Sequence, residues 1–123
     1  MATSVLHNRR VLVVEDEYLI ATTLQEWLEN AGFVVVGPVP SVEKALKLID
    51  SETVINAAVV DVNLGGVFAY AVADRLLARK IPFVFTSGYE DDVLRTRYPQ
   101  IRNYHKPYLF SDMQQALTRA MSA

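Results

Sequence analysis

Two adjacent carboxylates after the first apolar run of the chain are the clearest candidates for chemistry. Glu15 and Asp16 follow the run from Val11 to Val14, which predicts a buried parallel strand because it is aliphatic without alternation. Side chains just past such a strand face the crevice in which open α/β sheets bind ligands. Two carboxylates about 4 Å apart repel by roughly 4 kcal/mol at an effective dielectric constant of about 20, which favours a bound divalent cation. The alternative is an acidic helix start stabilised by the helix dipole.

Three more polar side chains follow other predicted strands. Asp61 comes after the third strand, Ser87 after the fourth and Lys106 after the fifth. Because right-handed crossovers bring the carboxyl ends of parallel strands to one edge of the sheet, we expect all of these groups to meet there. Three acids, a hydroxyl and an ammonium suit phosphoryl transfer to a carboxylate, which depends mostly on positioning and charge neutralisation.

The chemistry of phosphoryl transfer predicts a role for each of these groups. Asp61 is the predicted nucleophile and would form an acyl phosphate. Lys106 would lie against Asp61 and then against the phosphoryl group, while Ser87 would donate a hydrogen bond to a phosphoryl oxygen. Mg²⁺, or Mn²⁺ in its place, would take oxygen ligands around the nucleophile: Asp16, Asp61, the backbone carbonyl of Asn63 and, through water, Glu15.

Length and composition are those of one folded domain. The chain has 123 residues and a formal net charge of −2, so it is about one domain long, and its charge gives no indication of nucleic-acid binding. We predict a single domain over 1–123, with an ordered core of about 9–122 and no output domain. The sequence contains no cysteine, and we find neither a signal peptide nor a membrane span, so we predict a cytoplasmic protein.

Strand-like and helix-like segments alternate along the chain, which predicts an α/β fold with a parallel sheet. Five strands are predicted: 11–14, 33–36, 57–60, 83–86 and a short one around Tyr104. Helices are predicted between and after them: from Ile20 to Ala31, after an N-cap at Ser41, from Phe68 to Arg79 after a break at Gly65-Gly66, and after a capping box of Ser111 with Gln114. The stretch 90–102 has little apolar periodicity and predicts a brief helix or a mobile loop.

The order of these motifs resembles the receiver domains of bacterial two-component response regulators over essentially the whole chain. The resemblance is carried by VLVVEDE at 11–17, AVVDVN at 58–63, PFVFTSG at 82–88 and the HKP around Lys106. It implies a doubly wound, flavodoxin-like (βα)5 sandwich whose five parallel strands have the order 2-1-3-4-5. The implied site roles are phospho-acceptor for Asp61, acidic pair for Glu15 and Asp16, switch hydroxyl for Ser87, and conserved-type lysine for Lys106 with a cis proline at Pro107.

The resemblance also implies what such a chain does. It would be a stand-alone receiver that takes a phosphoryl group from a histidine kinase or a histidine phosphotransfer protein in a Mg²⁺-dependent reaction. It would signal by phosphorylation-dependent protein contact or by relay. Its own catalysis would be limited to phosphorylating and dephosphorylating itself, so we do not expect an enzyme. We expect neither nucleic-acid nor membrane partners, and a monomer or a weak homodimer.

Three residues near the site bear on how this chain compares with the usual receiver pattern. Receivers usually carry an aromatic switch residue three before the lysine, where this chain has Asn103, and the aromatic Tyr104 stands two before Lys106. Neighbouring residues of a regular strand face opposite sides, so either a bulge restores Tyr104 to the usual face or the protein switches without it. Tyr89, two residues after Ser87, is a candidate shield that controls water access to the acyl phosphate, or else a surface loop aromatic.

The TSGY sequence at 86–89 and the short span to the lysine are similar to the receiver subgroup named for a FATGUY motif, in which the fourth helix is short or mobile. Two other functions remain open. A receiver-like module that is never phosphorylated would share the fold. A small Mg²⁺-dependent phosphohydrolase of the haloacid dehalogenase type would also use an aspartyl phosphate, but its nucleophile follows the first strand, whereas Asp61 follows the third.

Overall fold

The structure is a computed structural model that describes residues 8–51, 54–88 and 92–122. Strands and helices alternate throughout this part of the chain. The strands are β1 Arg10–Val14, β2 Val34–Val39, β3 Ala57–Asp61, β4 Asn63–Leu64, β5 Val67–Phe68, β6 Phe83–Ser87 and β7 Asn103–His105. The helices are α1 Tyr18–Asn30, α2 Val42–Asp50, α3 Tyr70–Ala78, α4 Asp92–Arg97 and α5 Phe110–Ser122.

Five of the strands form one parallel sheet in the order β2-β1-β3-β6-β7. The remaining two, β4 and β5, pair with each other as a small antiparallel hairpin outside this sheet. With the hairpin set aside, the strand order is 2-1-3-4-5, and the flavodoxin-like fold predicted from the sequence is confirmed. The reversal of strand order between β1 and β3 places a crevice at their carboxyl ends.

Helices cover both faces of the sheet, and successive residues of a central strand supply the two cores. Leu12 and Val14 belong to the core shared with α2, α3 and α4, while Val11 and Val13 belong to the core shared with α1 and α5. All four side chains are almost completely buried. Burial on both faces explains why this strand reads as a continuous aliphatic run rather than as an alternating one.

The second strand is longer than predicted. The sequence predicts that Gly37-Pro38 closes it, but β2 continues to Val39. The register shifts between the pairs Leu12↔Val36 and Val14↔Val39, so β2 carries one more residue than β1 over this stretch. This extra residue makes a β-bulge, which lets the strand bend at the glycine and proline without ending.

The segment after β3 also differs from its prediction. Gly65-Gly66 does not simply interrupt the chain before a helix, because the two glycines form the turn of the β4–β5 hairpin, with φ angles of +64° and +96°. Two-residue hairpin turns of this kind need positive φ at both central positions. Phe68 consequently lies in β5 rather than in α3, which begins at Tyr70.

The two predicted helix caps have different outcomes. Ser41 caps α2, and its hydroxyl accepts a hydrogen bond from the Lys44 backbone amide at 3.2 Å. Ser111 is not an N-cap, because α5 already begins at Phe110.

The stretch 90–102 contains the six-residue α4, a brief helix as expected. Within the described residues, none of the helices has the length and apolarity that a bilayer span requires.

Candidate functional site

The carboxyl edge of the sheet brings four charged side chains together. Glu15 and Asp16 follow β1, Asp61 ends β3, and Lys106 follows β7. The ammonium nitrogen of Lys106 lies 2.9 Å from Glu15 Oε1 and 2.8 Å from Asp61 Oδ2. One carboxylate oxygen from each of the three acids lies within 4.8 Å of the others. The right-handed crossovers thus place at one edge residues that are far apart in the sequence.

The three acids differ in their exposure to solvent. Glu15 and Asp61 are each only 5% exposed, whereas Asp16 is exposed. A carboxylate out of contact with water is costly unless a counter-charge and hydrogen bonds compensate. Lys106 supplies that counter-charge to both buried acids at once, while the exposed Asp16 leaves one side of the cluster open to solutes.

Each buried carboxylate divides its two oxygens between the lysine and a backbone amide. Asp61 Oδ2 contacts Lys106, and Asp61 Oδ1 accepts from the Asn63 amide at 3.1 Å. Glu15 Oε1 contacts Lys106, and Glu15 Oε2 accepts from the Glu17 amide at 3.1 Å. These paired contacts fix the orientation of both carboxylate planes, because each oxygen has its own donor.

The charges of the cluster shift the protonation equilibria of its members. Burial raises the pKa of Glu15 to about 7, with a further contribution from neighbouring Asp61, although Lys106 opposes it. Burial alone would lower the pKa of Lys106, but the contacts with Asp61 and Glu15 raise it to about 12. Burial, followed by the negative charge of Glu15, raises the pKa of Tyr108 to about 12. At neutral pH the lysine therefore stays charged and the phenol stays protonated.

The donor set of the cluster suits a hard divalent cation. Three carboxylates and one ammonium carry a net charge of −2 when all are ionised, and a divalent ion would balance this charge. All three acids offer oxygen, the ligand that ions such as Mg²⁺ and Mn²⁺ favour over nitrogen or sulfur. The cluster of Glu15, Asp16 and Asp61 could therefore bind a metal.

Ser87 lies buried at the end of β6, beside this cluster, with 2% exposure. Its hydroxyl donates to Asn103 Oδ1 at 3.1 Å, and its carbonyl accepts from the Lys106 amide at 2.8 Å. The sequence alone predicts no such contact for Asn103. Its one signal is the position of Asn103 three residues before the lysine, where an amide replaces the usual aromatic ring.

Strand β7, at the edge of the parallel sheet, is regular and contains no bulge. Its register against β6 runs without a shift through Phe85↔Asn103, Thr86↔Tyr104 and Ser87↔His105. Tyr104 packs against the core shared with α1 and α5, so it does not lie on the face of Asn103 and Ser87. The bulge that would restore Tyr104 to the usual face is therefore absent from β7. Tyr89 lies outside the described residues.

An apolar groove borders the charged cluster on the side of α1. Its volume is about 490 Å³, and it is lined by α1 residues and by the segment after β7, including Leu19, Trp27, Lys106, Pro107 and Tyr108. The Lys106–Pro107 peptide bond is cis. Leu19 is 75% exposed and Trp27 is 40% exposed, so apolar surface lies in the open directly beside the lysine.

Comparisons with known proteins agree on one family. A model of the response regulator receiver domain matches residues 11–118. Among solved structures, the chain is similar to a response regulator receiver protein from Sinorhizobium medicae WSM419, with 25% identity, a TM-score of 0.84, and coverage of 96% of this chain and 98% of that one. It is also similar to SdrG from Sphingomonas melonis Fr1, with 38% identity, a TM-score of 0.79, and coverage of 94% and 98%.

A third similar structure contains a metal ion. The receiver domain of sensor histidine kinase PA1611 from Pseudomonas aeruginosa PAO1, solved with a magnesium ion coordinated in its active site cleft, is 20% identical, with a TM-score of 0.80 and coverage of 94% and 99%. No curated protein matches the chain. The family model nevertheless spans the chain from β1 into α5, including all four charged residues of the cluster. The chain therefore belongs to the response regulator receiver domain family.

Proposed function

We propose that this receiver accepts a phosphoryl group on Asp61 from a histidine kinase or a histidine phosphotransfer protein. The observation that carries the proposal is the environment of Asp61. Its carboxylate is buried at the carboxyl edge of the sheet, is paired with Lys106 at 2.8 Å, and lies within 4.8 Å of two further acids. A carboxylate fixed in this way is a pre-oriented nucleophile with a positive charge already in place.

The transfer forms one bond and breaks another. An oxygen of Asp61 attacks the phosphorus of a phosphohistidine, the new O–P bond forms as the N–P bond breaks, and the leaving imidazole nitrogen takes up a proton. Lys106 neutralises negative charge on the phosphoryl oxygens, and the Ser87 hydroxyl donates a hydrogen bond to one of them. These contacts act by positioning and by electrostatics, as phosphoryl transfer requires.

Oxygen ligands around Asp61 would hold a magnesium ion. The proposed ligands are Asp16, Asp61 and the backbone carbonyl of Asn63, with Glu15 acting through water. When bound, Mg²⁺ supplies positive charge to the phosphoryl oxygens. The magnesium ion in the receiver domain of PA1611 supports this assignment by analogy of fold.

The proposed approach of the phosphodonor is over the groove beside Lys106. A donor histidine must come within bonding distance of Asp61 from the open edge of the sheet. The exposed side chains of Leu19 and Trp27 lie next to that approach and offer apolar contact area. The phosphorylated receiver would then pass the signal on by protein contact or by relay, since phosphate changes which surface state is populated.

Incubation with Mg²⁺ and acetyl phosphate tests the proposed function. We expect a mass increase of one phosphate that survives acid and is lost in base, as an acyl phosphate is. The increase should be absent from Asp61→Asn and from a sample treated with EDTA. An adduct that persists in Asp61→Asn, or none in the native protein, would contradict the proposal. Rapid turnover of phosphate esters would instead indicate a phosphohydrolase.

A further inference from the structure

The hydroxyl of Ser87 is held by an amide rather than left beside an aromatic ring. Ser87 Oγ lies 3.1 Å from Asn103 Oδ1. Phe85 is paired with Asn103 across β6 and β7, and Ser87 follows Phe85 by two residues, so Ser87 and Asn103 point to the same face of the sheet. The contact is therefore a consequence of strand register.

The hydroxyl has one proton to donate. A serine offers a single O–H donor, and in the structure that donor is directed to Asn103. In the proposed phosphorylated state, the same proton is needed by a phosphoryl oxygen on Asp61. Asn103 Oδ1 and the phosphoryl oxygen thus compete for this proton. A stronger hydrogen bond from Ser87 to Asn103 favours the unphosphorylated arrangement.

The surroundings of Asn103 connect this competition to the surface. Asn103 is half-buried and lines an open cleft of about 510 Å³ between α4 and β7, together with Leu94, Tyr98 and His105. Loss of the serine bond would leave the Asn103 amide to find new partners in that cleft. A change at the phosphorylation site would therefore reach a surface beside α4 through one side chain.

We propose that Asn103 is a positioning residue that holds the Ser87 hydroxyl in the unphosphorylated state and thereby sets how readily the receiver adopts its phosphorylated arrangement. This inference rests on the proposed function of Asp61 and Ser87. It assigns to a hydrogen-bond acceptor the control that an aromatic side chain would otherwise exert at this position. Tyr104 cannot take this role, because the strand register places its side chain on the opposite face of the sheet from Ser87.

Binding of beryllofluoride in the presence of Mg²⁺, followed by backbone amide chemical shifts, tests the inference. Beryllofluoride mimics a phosphoryl group on a carboxylate. Asn103→Leu keeps the approximate size of the side chain but removes the acceptor, so we expect about fivefold tighter binding, the equivalent of one neutral hydrogen bond. Asn103→Ala is a second variant with the same expected direction. In a Ser87→Ala background, the Asn103 substitutions should change nothing.

The outcomes separate this inference from the function on which it rests. If native protein does not bind beryllofluoride, or if Asp61→Asn binds it equally well, the proposed function fails. If native binding depends on Asp61 but both Asn103 variants bind within twofold of native, the positioning role is refuted and the proposed function stands. Tighter binding that persists in the Ser87→Ala background would also refute it, because Asn103 would then act by another route.

Discussion

At the centre of the site, one ammonium group is shared by two buried carboxylates. Lys106 contacts both Glu15 and Asp61 at less than 3 Å, and a backbone amide occupies the second oxygen of each acid. Asp61 is thus held in one orientation, with a positive charge beside it, before any ligand arrives. Asp16 differs because it is exposed, which suits a residue that meets a cation coming from solution.

The raised pKa of Glu15 gives a prediction for the stability of the metal-free protein. Folding raises the pKa of Glu15 from 4.5 to about 7, so between these pH values the folded state keeps a proton that the unfolded state has released. The free energy of unfolding should therefore be highest below pH 4.5 as far as this group is concerned, and should fall as the pH rises towards 7. Urea unfolding in EDTA at pH 5 and pH 8 measures the difference.

Substitution of the glutamate isolates this contribution. Glu15→Gln should have a smaller loss of stability between the two pH values than the native protein, because glutamine has no proton to release. Glu17→Gln, at an exposed position two residues away, should retain the native pH dependence. An unchanged pH dependence in Glu15→Gln would show that burial of this carboxylate does not cost free energy.

The sequence predicts that these charged residues meet at one edge, and they do, because strand topology alone brings them together. Glu15, Asp61 and Lys106 each follow an apolar run that ends at the same edge of the sheet. The bond between Ser87 and Asn103 could not be predicted in this way. It depends on the register of β6 against β7, and a three-residue strand carries no pattern from which that register can be read.

Among the secondary-structure elements, the hairpin β4–β5 lies beside the site and is linked by packing to the α4 end of the fold. A Cβ atom at Gly65 would stand 3.6 Å from Asp16 Oδ2, so the hairpin turn lies beside the exposed acid. Phe68 of the hairpin stacks on Tyr70, and Tyr70 packs against Tyr98 just after α4. Aromatic contacts therefore connect the hairpin with the α4 end of the fold.

Tyr98 anchors the chain after α4 and provides a prediction about that element. Its side chain is buried, its hydroxyl donates to Asp74 Oδ1 at 2.7 Å, and burial raises its pKa above the ordinary value. Tyr98→Phe removes this hydrogen bond and should lower the free energy of unfolding by about 1 kcal/mol. Urea unfolding measures the loss, and faster amide exchange in α4 would locate it.

A tyrosine without such packing serves as the control. Tyr18 is 77% exposed, and Tyr18→Phe should leave both the free energy of unfolding and the exchange in α4 unchanged. If Tyr98→Phe is as stable as the native protein, the contact between Tyr98 and Asp74 does not hold α4 in place.

The hairpin turn gives a second prediction at this scale. Gly66 has φ +96° and nothing within 4 Å of an added Cβ, so Gly66→Ala introduces backbone strain without a steric clash. The expected loss of stability is about 1–2 kcal/mol, measured by urea unfolding. Gly88 has the same open space but no positive φ, so Gly88→Ala should cost much less. Equal stability of the two variants would mean that the turn relaxes freely.

The sequence mispredicts two segments in which glycine predicts an interruption of the secondary structure. One interruption lies inside strand β2, and the other is the turn between β4 and β5. Gly37 and Pro38 predict the end of the second strand, but the bulge lets β2 continue through them. The pair of glycines at 65 and 66 suggested a gap before a helix, but the two-residue strands that flank them are too short to show alternation. Long aliphatic runs such as β1 are predicted correctly because their pattern can be recognised without reference to the adjacent segments of the chain.

The molecule as a whole is a parallel sheet covered on both faces. Among the described residues, the buried polar side chains lie at its carboxyl edge: Glu15, Asp61, Thr86 and Ser87. The two cores, one shared with α2, α3 and α4 and the other with α1 and α5, hold the strand ends in a fixed arrangement. Fold class follows from the sequence because strand-like and helix-like segments alternate along most of the chain, whereas the strand order is what the resemblance to receiver domains implies. The narrower resemblance to the FATGUY subgroup stays a prediction, since it depends on a motif matched imperfectly at 86–89.

The most direct test of the account is to identify the phosphorylated residue chemically. Protein treated with Mg²⁺ and acetyl phosphate is reduced with borohydride, which converts an aspartyl phosphate to homoserine, and the digested peptides are analysed by mass spectrometry. If Asp61 is the phospho-acceptor, homoserine appears at position 61 and at no other acidic residue, and none forms when the phosphodonor is omitted. Homoserine at position 16, or an unmodified Asp61 in protein that carries phosphate, would contradict it.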